Sequence, residues 1–257
     1  MVRHVLLTLM ALSPIALPDI APTGTLRATF LATNPVQGRV DPKTGVVTGP
    51  VADLVQELAR RRGVPFTIQP VPDAAAVIES VKTKKADIGF LAFEAARAAQ
   101  VDFSNPYALM ASAYAVSADS PIRSSAEVDR AGVKVGAVKG QSQQIFVSGA
   151  LKNAHVEVLA DMPPNDQLAA MLARGELDAF AANRQRMDEL VRVSPKVRVL
   201  ADNFLVVGQA IVVEKGNQSA LVELNAFLAD VRASGFIKSS LERAKLAGVD
   251  VAPPPTR

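Results

Sequence analysis

Cysteine and histidine are so scarce in this chain that whole classes of chemistry are excluded. The 257 residues include no cysteine and only two histidines, His4 and His155. Without cysteine there are no disulfide bonds, thiolate nucleophiles or cysteine-based metal sites. His155 stands alone before a predicted strand, and we expect it in an exposed loop rather than at a ligand or metal. The sequence therefore predicts no metal site, no cofactor and no catalytic residue.

Charge of either sign is also not concentrated anywhere. The 28 basic and 25 acidic residues give a formal net charge of +3 and are scattered along the chain. No basic block or combined aromatic and basic face is present, so we expect no nucleic-acid partner. With 49% apolar residues, a chain of this length can bury the cores of two modest domains.

The amino terminus has the pattern of a secretory signal. Arg3 and His4 precede an apolar run over residues 5–17, which is too short to span a bilayer and is interrupted by Pro14. We expect residues 1–23 to be a signal peptide or disordered leader and the protein to be periplasmic. No clean cleavage site follows the run, so a truncated or misassigned start is the alternative. No other segment is apolar enough to cross a membrane.

Short β-prone runs alternate with amphipathic helical runs, which is typical of an α/β chain with largely parallel sheets. The first unit comprises strands at residues 26–30, 66–71 and 88–91, with a helix from Val51 to Gly63 and a second helix capped by Asp73. The second unit repeats this order. Its strands are predicted at residues 133–138, 156–159 and 179–182, with helices from about Ser142 and around Leu168.

Two extended apolar stretches, residues 107–117 and 204–213, connect these units and predict a hinge. A final amphipathic helix, residues 221–231, should pack back on the first unit, and residues 251–257 should be a frayed tail. We therefore expect an α/β fold of two lobes, each a mixed, mostly parallel sheet flanked by helices, joined by a two-strand hinge. The predicted boundaries are 24–108 and 206–257 for lobe 1 and 109–205 for lobe 2.

Six segments, in order, resemble the type II periplasmic binding proteins of bacterial extracellular solute-binding family 3, the polar amino acid uptake class. The similarity runs from about Gly24 to Leu241. The segments are GTLRATFLATNP, TGPVADLVQELARRRGV, KADIGFLAFEAARAAQVDFSNPY, GVKVGAVKGQSQQIF, LARGELDAFAANR and LNAFLADVRASGFIKSSL. The resemblance implies two α/β lobes that close on a small ligand, which agrees with the predicted hinge.

Arg97 stands where the family has its carboxylate-binding arginine, five residues before Asp102. A guanidinium offers a bidentate fork to a carboxylate; the alternative is a surface arginine paired with Glu94. The chain departs from the family pattern here. The hydroxyl residues that usually precede the arginine are replaced by Ala92, Phe93 and Glu94, and Glu94 could cap the following helix or meet a cationic part of a ligand.

The second unit contributes Gln141 and Ser142, in a strand-to-helix loop suited to an anion. Ser142 resembles the family's ligand-binding hydroxyl, although a simple helix cap is the alternative. Asn183 occupies the position of the family's aspartate, the partner of the α-amino group. An amide there favours a ligand without an ammonium group.

The first loop of the chain provides Asn34 and Gln37 as further candidates. No aromatic residue lies between Phe30 and Phe66, so the ring sandwich usual for amino acid ligands is missing there. Phe93 can supply apolar surface to the ligand, although core packing is the more common role of such a residue. Tyr107 is a candidate for the rim of the site, with hinge packing as the equal alternative.

These expectations describe the binding component of an ABC importer that captures a small anionic solute, an amino acid or another small carboxylate, by hinge closure. The expected partners are the small-molecule ligand and a membrane permease, and the protein is expected to be a monomer. The alternative is an enzyme on the same fold, such as a cyclohexadienyl dehydratase-like lyase. That chemistry requires a general acid, and Glu94 is the only acidic side chain that the sequence places near the site.

Overall fold

The computed structural model describes residues 20–255. Most of the predicted leader, residues 1–19, lies outside these described residues. At the end of that leader, Ile20 and Ala21 are buried in an apolar cluster of the first α/β unit. None of the helices within residues 20–255 combines the length and the apolar character that a membrane span requires.

Strands and helices alternate along the described part of the chain. The strands are β1 (Leu26–Leu31), β2 (Arg39–Val40), β3 (Val47–Thr48), β4 (Phe66–Val71), β5 (Ile88–Ala92), β6 (Val101–Phe103), β7 (Ala108–Ser117), β8 (Lys134–Val138), β9 (His155–Leu159), β10 (Ala179–Asn183), β11 (Val197–Val199), β12 (Leu205–Glu214) and β13 (Val249–Val251). The α-helices are α1 (Pro50–Arg62), α2 (Ala74–Lys82), α3 (Ala95–Ala98), α4 (Ser142–Ala150), α5 (Asn165–Ala173), α6 (Arg184–Val193), α7 (Gln218–Ala233) and α8 (Phe236–Ala244), and a short 3₁₀ helix covers Ser125–Glu127.

Two groups of parallel strands are joined by two long antiparallel strands. The main path of the sheet runs β4, β1, β5, β12, β7, β10, β8, β9. In the first lobe β1 pairs in parallel with β4 and β5, and in the second lobe β8 pairs in parallel with β9 and β10. The strands β7 and β12 pair with each other, while β12 also pairs with β5 and β7 with β10. This confirms the predicted fold class: two α/β lobes joined by two crossing strands.

Helix α1 shows how local sequence builds the first lobe. Pro50 occupies its first turn, where no backbone N–H is needed, and Gly63 ends it with a left-handed φ of 65°. The residues at helical spacing from Val51 to Ala59 are buried, in an apolar cluster that also contains residues of β1 and β5. Burying each large side chain stabilises the fold by about 1.5–3 kcal/mol relative to its exposure. Asp73 caps α2 as predicted, accepting a hydrogen bond from Ala76 N at 2.8 Å.

The carboxyl-terminal segment returns to the first lobe. Helix α7 buries Leu224, Phe227 and Leu228 in the same apolar cluster as β1 and β5, as predicted. The prediction of a frayed tail from residue 251 is wrong at its beginning, because β13 pairs with β7. Ala252 is fully buried; its N–H donates to Tyr107 O, and its carbonyl accepts from Arg232 Nε. The backbone hydrogen bonds satisfied in this way explain why the segment is ordered.

Candidate functional site

The carboxyl ends of parallel strands from both lobes meet at a crevice, as expected for ligand sites in α/β folds. Two spaces lie there, and they share some of their lining residues. The inner cavity, of about 30 Å³, is lined by Leu31, Thr33, Asn34, Gln37, Leu91, Ala92, Arg97, Met110, Gln141, Ser142, Gln143 and Asn183. The outer cleft, of about 800 Å³, is lined by Leu31, Thr33, Pro72, Asp73, Ala74, Ala75, Ala76, Ile78, Glu79, Arg97, Gln100, Val138, Lys139, Gly140, Gln141, Ala160, Asp161 and Met162.

Arg97 lines both spaces and touches both lobes. It lies in the short helix α3, with only 8% of its surface exposed. Its Nη1 donates to Ala92 O at 2.8 Å within the first lobe, and its Nη2 donates to Gly140 O at 2.8 Å in the second. Both acceptors are neutral carbonyl groups. The alternative of a surface arginine is therefore wrong, since Arg97 is buried and bridges the crevice.

The charge of Arg97 is not neutralised by a neighbouring carboxylate. None of the ion pairs formed within residues 20–255 includes this guanidinium. Burial lowers the pKa of Arg97, while the more distant charge of Glu94 acts in the opposite direction. A buried charge without a counterion is costly, and an incoming anion would relieve that cost.

Ser142 provides a hydroxyl group with no partner. It is the first residue of α4, only 4% of it is exposed, and its buried Oγ has no hydrogen-bond partner. Gln141 occupies the cap position of this helix and makes no side-chain cap bond. The alternative in which Ser142 serves as the helix cap is therefore wrong. The free hydroxyl can donate to, or accept from, a polar group in the inner cavity.

Asn183 and Asn34 meet across the crevice. Asn183 caps α6, where its Oδ1 accepts from Arg186 N at 2.8 Å, and its Nδ2 donates to Asn34 Oδ1 at 3.5 Å. Asn34 Oδ1 also accepts from Val36 N at 3.2 Å. The amide predicted to replace an acidic side chain therefore lines the inner cavity and carries no charge into it.

Gln37 reaches the inner cavity, but the fold already uses its amide. Its Oε1 accepts from Leu31 N at 3.0 Å, and its Nε2 donates to Phe90 O at 3.2 Å and to Gln209 Oε1 at 3.3 Å. With 1% of its surface exposed, Gln37 holds the end of β1 in place. It therefore shapes the wall beside Arg97.

Three predicted site residues lie away from both spaces. Phe93 is 53% exposed and packs edge-on against Phe103, so it is neither a lining residue nor part of the core. Glu94 occupies the cap position of α3 without a side-chain cap bond, so the predicted capping is also wrong. Tyr107 is fully buried in the first core, edge-on to Phe90. Ala92, by contrast, lines the inner cavity.

Gln143 and Met110 line the inner cavity although sequence reasoning did not select them. Gln143 lies one residue beyond Ser142 in the first turn of α4, and its Nε2 donates to Ser112 Oγ at 2.8 Å. Met110 and Ser112 belong to the crossing strand β7. The signal available in the sequence was position alone, because residues next to a strand-to-helix loop or in a crossing strand lie near the crevice.

We expect Tyr107→Phe to leave ligand binding unchanged and to keep or raise the free energy of unfolding by up to about 1 kcal/mol. The Tyr107 hydroxyl is buried without a hydrogen-bond partner, and burial raises its pKa. Urea unfolding measures the stability, and titration with the best ligand measures the affinity. A loss of stability would show that the hydroxyl has a partner, and weaker binding would restore Tyr107 as a rim contact.

Two α/β lobes linked by two long strands, with polar groups of both lobes meeting between them, define the two-lobed type II binding-protein fold. The chain belongs to the bacterial extracellular solute-binding proteins, family 3, because the sequence model of that family matches residues 26–244. This confirms the resemblance drawn from the six sequence segments. A comparison with curated proteins gave no match.

Solved structures share this fold at low sequence identity. The amino acid ABC transporter substrate-binding protein AbpA from Streptococcus pneumoniae, bound to L-arginine, is 22% identical with a TM-score of 0.72, and the alignment covers 88% of this chain and 96% of that chain. An ancestral arginine-binding protein bound to arginine is 26% identical, with a TM-score of 0.72 and coverage of 86% and 97%. The ancestral amino-acid-binding protein AncCDT-1, a precursor of cyclohexadienyl dehydratase, is 24% identical, with a TM-score of 0.72 and coverage of 87% and 96%.

Proposed function

We propose that this chain is the substrate-binding component of an ABC importer and that it captures a small anionic solute, an amino acid or another small carboxylate. The observation that carries the proposal is Arg97, a buried guanidinium between the lobes without a carboxylate partner. Two of its five N–H groups bond to backbone carbonyls, which leaves donors for a ligand carboxylate. A charge-assisted pair would replace interactions with neutral acceptors and supply the missing negative charge.

The charge of the inner cavity supports an anion rather than a cation. Among the described residues that line it, Arg97 is the only charged one. Asn183 offers an amide where an acidic side chain would attract an ammonium group. An amino acid relies on both of its charged groups for tight binding, so a carboxylate without the ammonium group fits this cavity better. Two of the similar solved structures are bound to arginine, so an amino acid is the main alternative to a carboxylate without an ammonium group.

Hinge closure provides the capture step in this proposal. Arg97 belongs to the first lobe, whereas Ser142 and Asn183 belong to the second, so a ligand that touches all three stabilises the closed arrangement. We assign lobe 1 to residues 24–108 and 206–257 and lobe 2 to residues 109–205. Two large apolar clusters support these bounds, since one ends at Ala108 and resumes at Ile211, while the other extends from Tyr114 to Phe204. A small cluster of Val36, Ala92, Met110 and Val207 spans the boundary at the crossing strands.

Binding rather than catalysis is the role that we propose. The described residues lining the inner cavity include neither a carboxylate nor an imidazole that could act as a general acid, and the three carboxylates that line the outer cleft, Asp73, Glu79 and Asp161, are exposed. Membership of an extracellular solute-binding family supports a periplasmic location and delivery of the ligand to a membrane permease. We further propose that the protein acts as a monomer.

A thermal-shift screen of amino acids and small organic acids tests this function. A ligand at a hundredfold excess over its dissociation constant stabilises the folded protein by about 2.7 kcal/mol. We expect carboxylates to raise the melting temperature more than neutral or cationic analogues of the same size. If no small anion shifts the transition, the proposal fails. Incubation of the best compound with the protein, followed by product analysis, distinguishes binding from turnover.

Ser142→Ala is expected to weaken binding of the carboxylate identified in this way by about five- to twentyfold, because one hydrogen bond to a charged group is lost. Isothermal titration calorimetry measures the change. The matched control is Ser148→Ala in the same helix, where the exposed Oγ accepts a hydrogen bond from Gln144. Equal affinities for the two variants would remove Ser142 from the site.

A further inference from the structure

The two spaces at the crevice differ in size so strongly that they cannot serve the same part of a ligand. The inner cavity has a volume of about 30 Å³, far below the volumes of typical ligand pockets. The outer cleft, of about 800 Å³, falls within the range of roughly 300–1,000 Å³ that is typical of ligand pockets. A ligand with its polar head in the inner cavity must therefore place its remaining atoms in the outer cleft.

Arg97 stands at the junction of the two spaces. It lines both of them, together with Leu31, Thr33 and Gln141. A carboxylate bound to this guanidinium consequently has its substituent directed toward the outer cleft. The inner cavity, with Ser142 at its wall, would complete the coordination of the head group.

The walls of the outer cleft are largely apolar. The first lobe contributes the start of α2 and the residue before it, and the second lobe contributes the end of β8 and the loop after β9. Their apolar lining residues include Ala74, Ala75, Ala76, Ile78, Ala160 and Met162. Because alanine side chains are small, the consecutive alanines on one wall leave room for a chain or a ring of the ligand. Such surfaces favour an apolar ligand tail, because the removal of apolar surface from water is the main source of its binding free energy.

Apart from Arg97, the charged groups of the outer cleft lie on its exposed margin. Lys139, Asp73, Glu79 and Asp161 are exposed, and Asp73 already accepts a hydrogen bond from Ala76 N. Three carboxylates beside one lysine disfavour a second negative charge on the ligand tail, while solvent screening weakens the attraction of these exposed groups for a charged tail of either sign. The arrangement therefore suits a ligand with one carboxylate and an uncharged tail.

We propose that the ligand is an elongated monocarboxylate, whose carboxylate binds Arg97 and whose apolar chain or ring occupies the outer cleft between α2 and residues 160–162. The inference rests on the proposed function and narrows its ligand class. It assigns the outer cleft the task of selecting the ligand by the length and polarity of its tail.

A homologous series of carboxylates tests this assignment on the full chain. Acetate, butanoate, hexanoate and 3-phenylpropanoate are titrated by calorimetry at one ionic strength and pH. We expect affinity to rise along the series by up to about fourfold per buried methylene group. The zwitterion 6-aminohexanoate should bind at least tenfold more weakly than hexanoate. Equal or tighter binding of the zwitterion would contradict the inference that the ligand has an apolar tail.

Two variants test whether the dependence of affinity on the ligand tail arises in the outer cleft. Ala75→Trp places a large ring in the cleft from an exposed position and should reduce hexanoate and phenylpropanoate binding at least tenfold while sparing acetate. Met162→Ala should reduce phenylpropanoate binding about threefold. Ala229→Trp, at an exposed site on α7 outside both spaces, is the matched control. Circular dichroism verifies that each variant is folded.

The outcomes distinguish this inference from the function on which it rests. If all four carboxylates bind with equal affinity through Arg97, the binding function holds and the elongated ligand is excluded. If Ala75→Trp weakens acetate and hexanoate equally, the tail does not occupy the outer cleft. If no carboxylate binds at all, the proposed function itself fails.

Discussion

Arg97→Ala is expected to weaken carboxylate binding by at least about a hundredfold, because it removes a bidentate, charge-assisted pair worth roughly 3 kcal/mol. Arg97→Lys should retain part of the affinity, since it keeps the charge but loses the planar fork that also holds Ala92 O and Gly140 O. Calorimetry with the best carboxylate from the screen measures both losses.

The control for this prediction is Arg174→Ala. Arg174 is exposed and pairs with Glu176 on the surface, so its removal changes the net charge by the same amount without touching the crevice. Circular dichroism melting without ligand verifies that the Arg97 variants are folded. Retention of full affinity in Arg97→Ala would eliminate the anion site, whereas an equal loss in Arg174→Ala would show that only the overall charge matters.

Asn183→Asp is expected to reverse the ligand preference. The carboxylate can keep the cap on Arg186 N, but it adds a negative charge to a cavity in which Arg97 is the only charged lining residue. Binding of carboxylates without an ammonium group should fall at least about tenfold, since like charges in a poorly solvated site repel each other. Zwitterionic amino acids should lose less affinity or gain some, because their ammonium group acquires a partner.

Competition between a carboxylate and its α-amino derivative measures this preference directly. The matched control is Asn203→Asp, where the exposed Asn203 Oδ1 already accepts hydrogen bonds from Arg184. An unchanged preference in Asn183→Asp would mean that Asn183 does not face the ligand. Measured relative to the unmodified protein, the reversal should be stronger at pH 7 than at pH 3, because the introduced acid and the carboxylate ligand both gain their charge over this range.

The fold could be predicted from sequence because its signals are periodic. The apolar spacing of α1 and α7 and the two extended stretches that became β7 and β12 follow directly from burial on one face of a helix or within a central strand. The position of Arg97 came from resemblance to the family rather than from any periodic pattern. Physical reasoning alone left a surface arginine open, because sequence does not reveal how deeply a short helix is buried.

The errors at the site have a common physical origin. Residues 92–94 leave the end of a buried strand, where each successive side chain points to a different side. Ala92 therefore faces the inner cavity, while Phe93 turns outward to Phe103. Tyr107 precedes β7, and its ring enters the core beside Phe90. The volumes of the two spaces could not be predicted, because they depend on how closely the lobes approach each other.

The order of strands in the sheet has a consequence for how the newly made chain matures. β12 lies between β5 and β7, so the first lobe lacks the strand that pairs with β5 and β6 until residue 214 has been synthesised. Helix α7 and strand β13 arrive later still. Such non-local pairing slows folding, and a nascent chain that emerges amino terminus first must therefore leave the first lobe incompletely folded until β13 has been made.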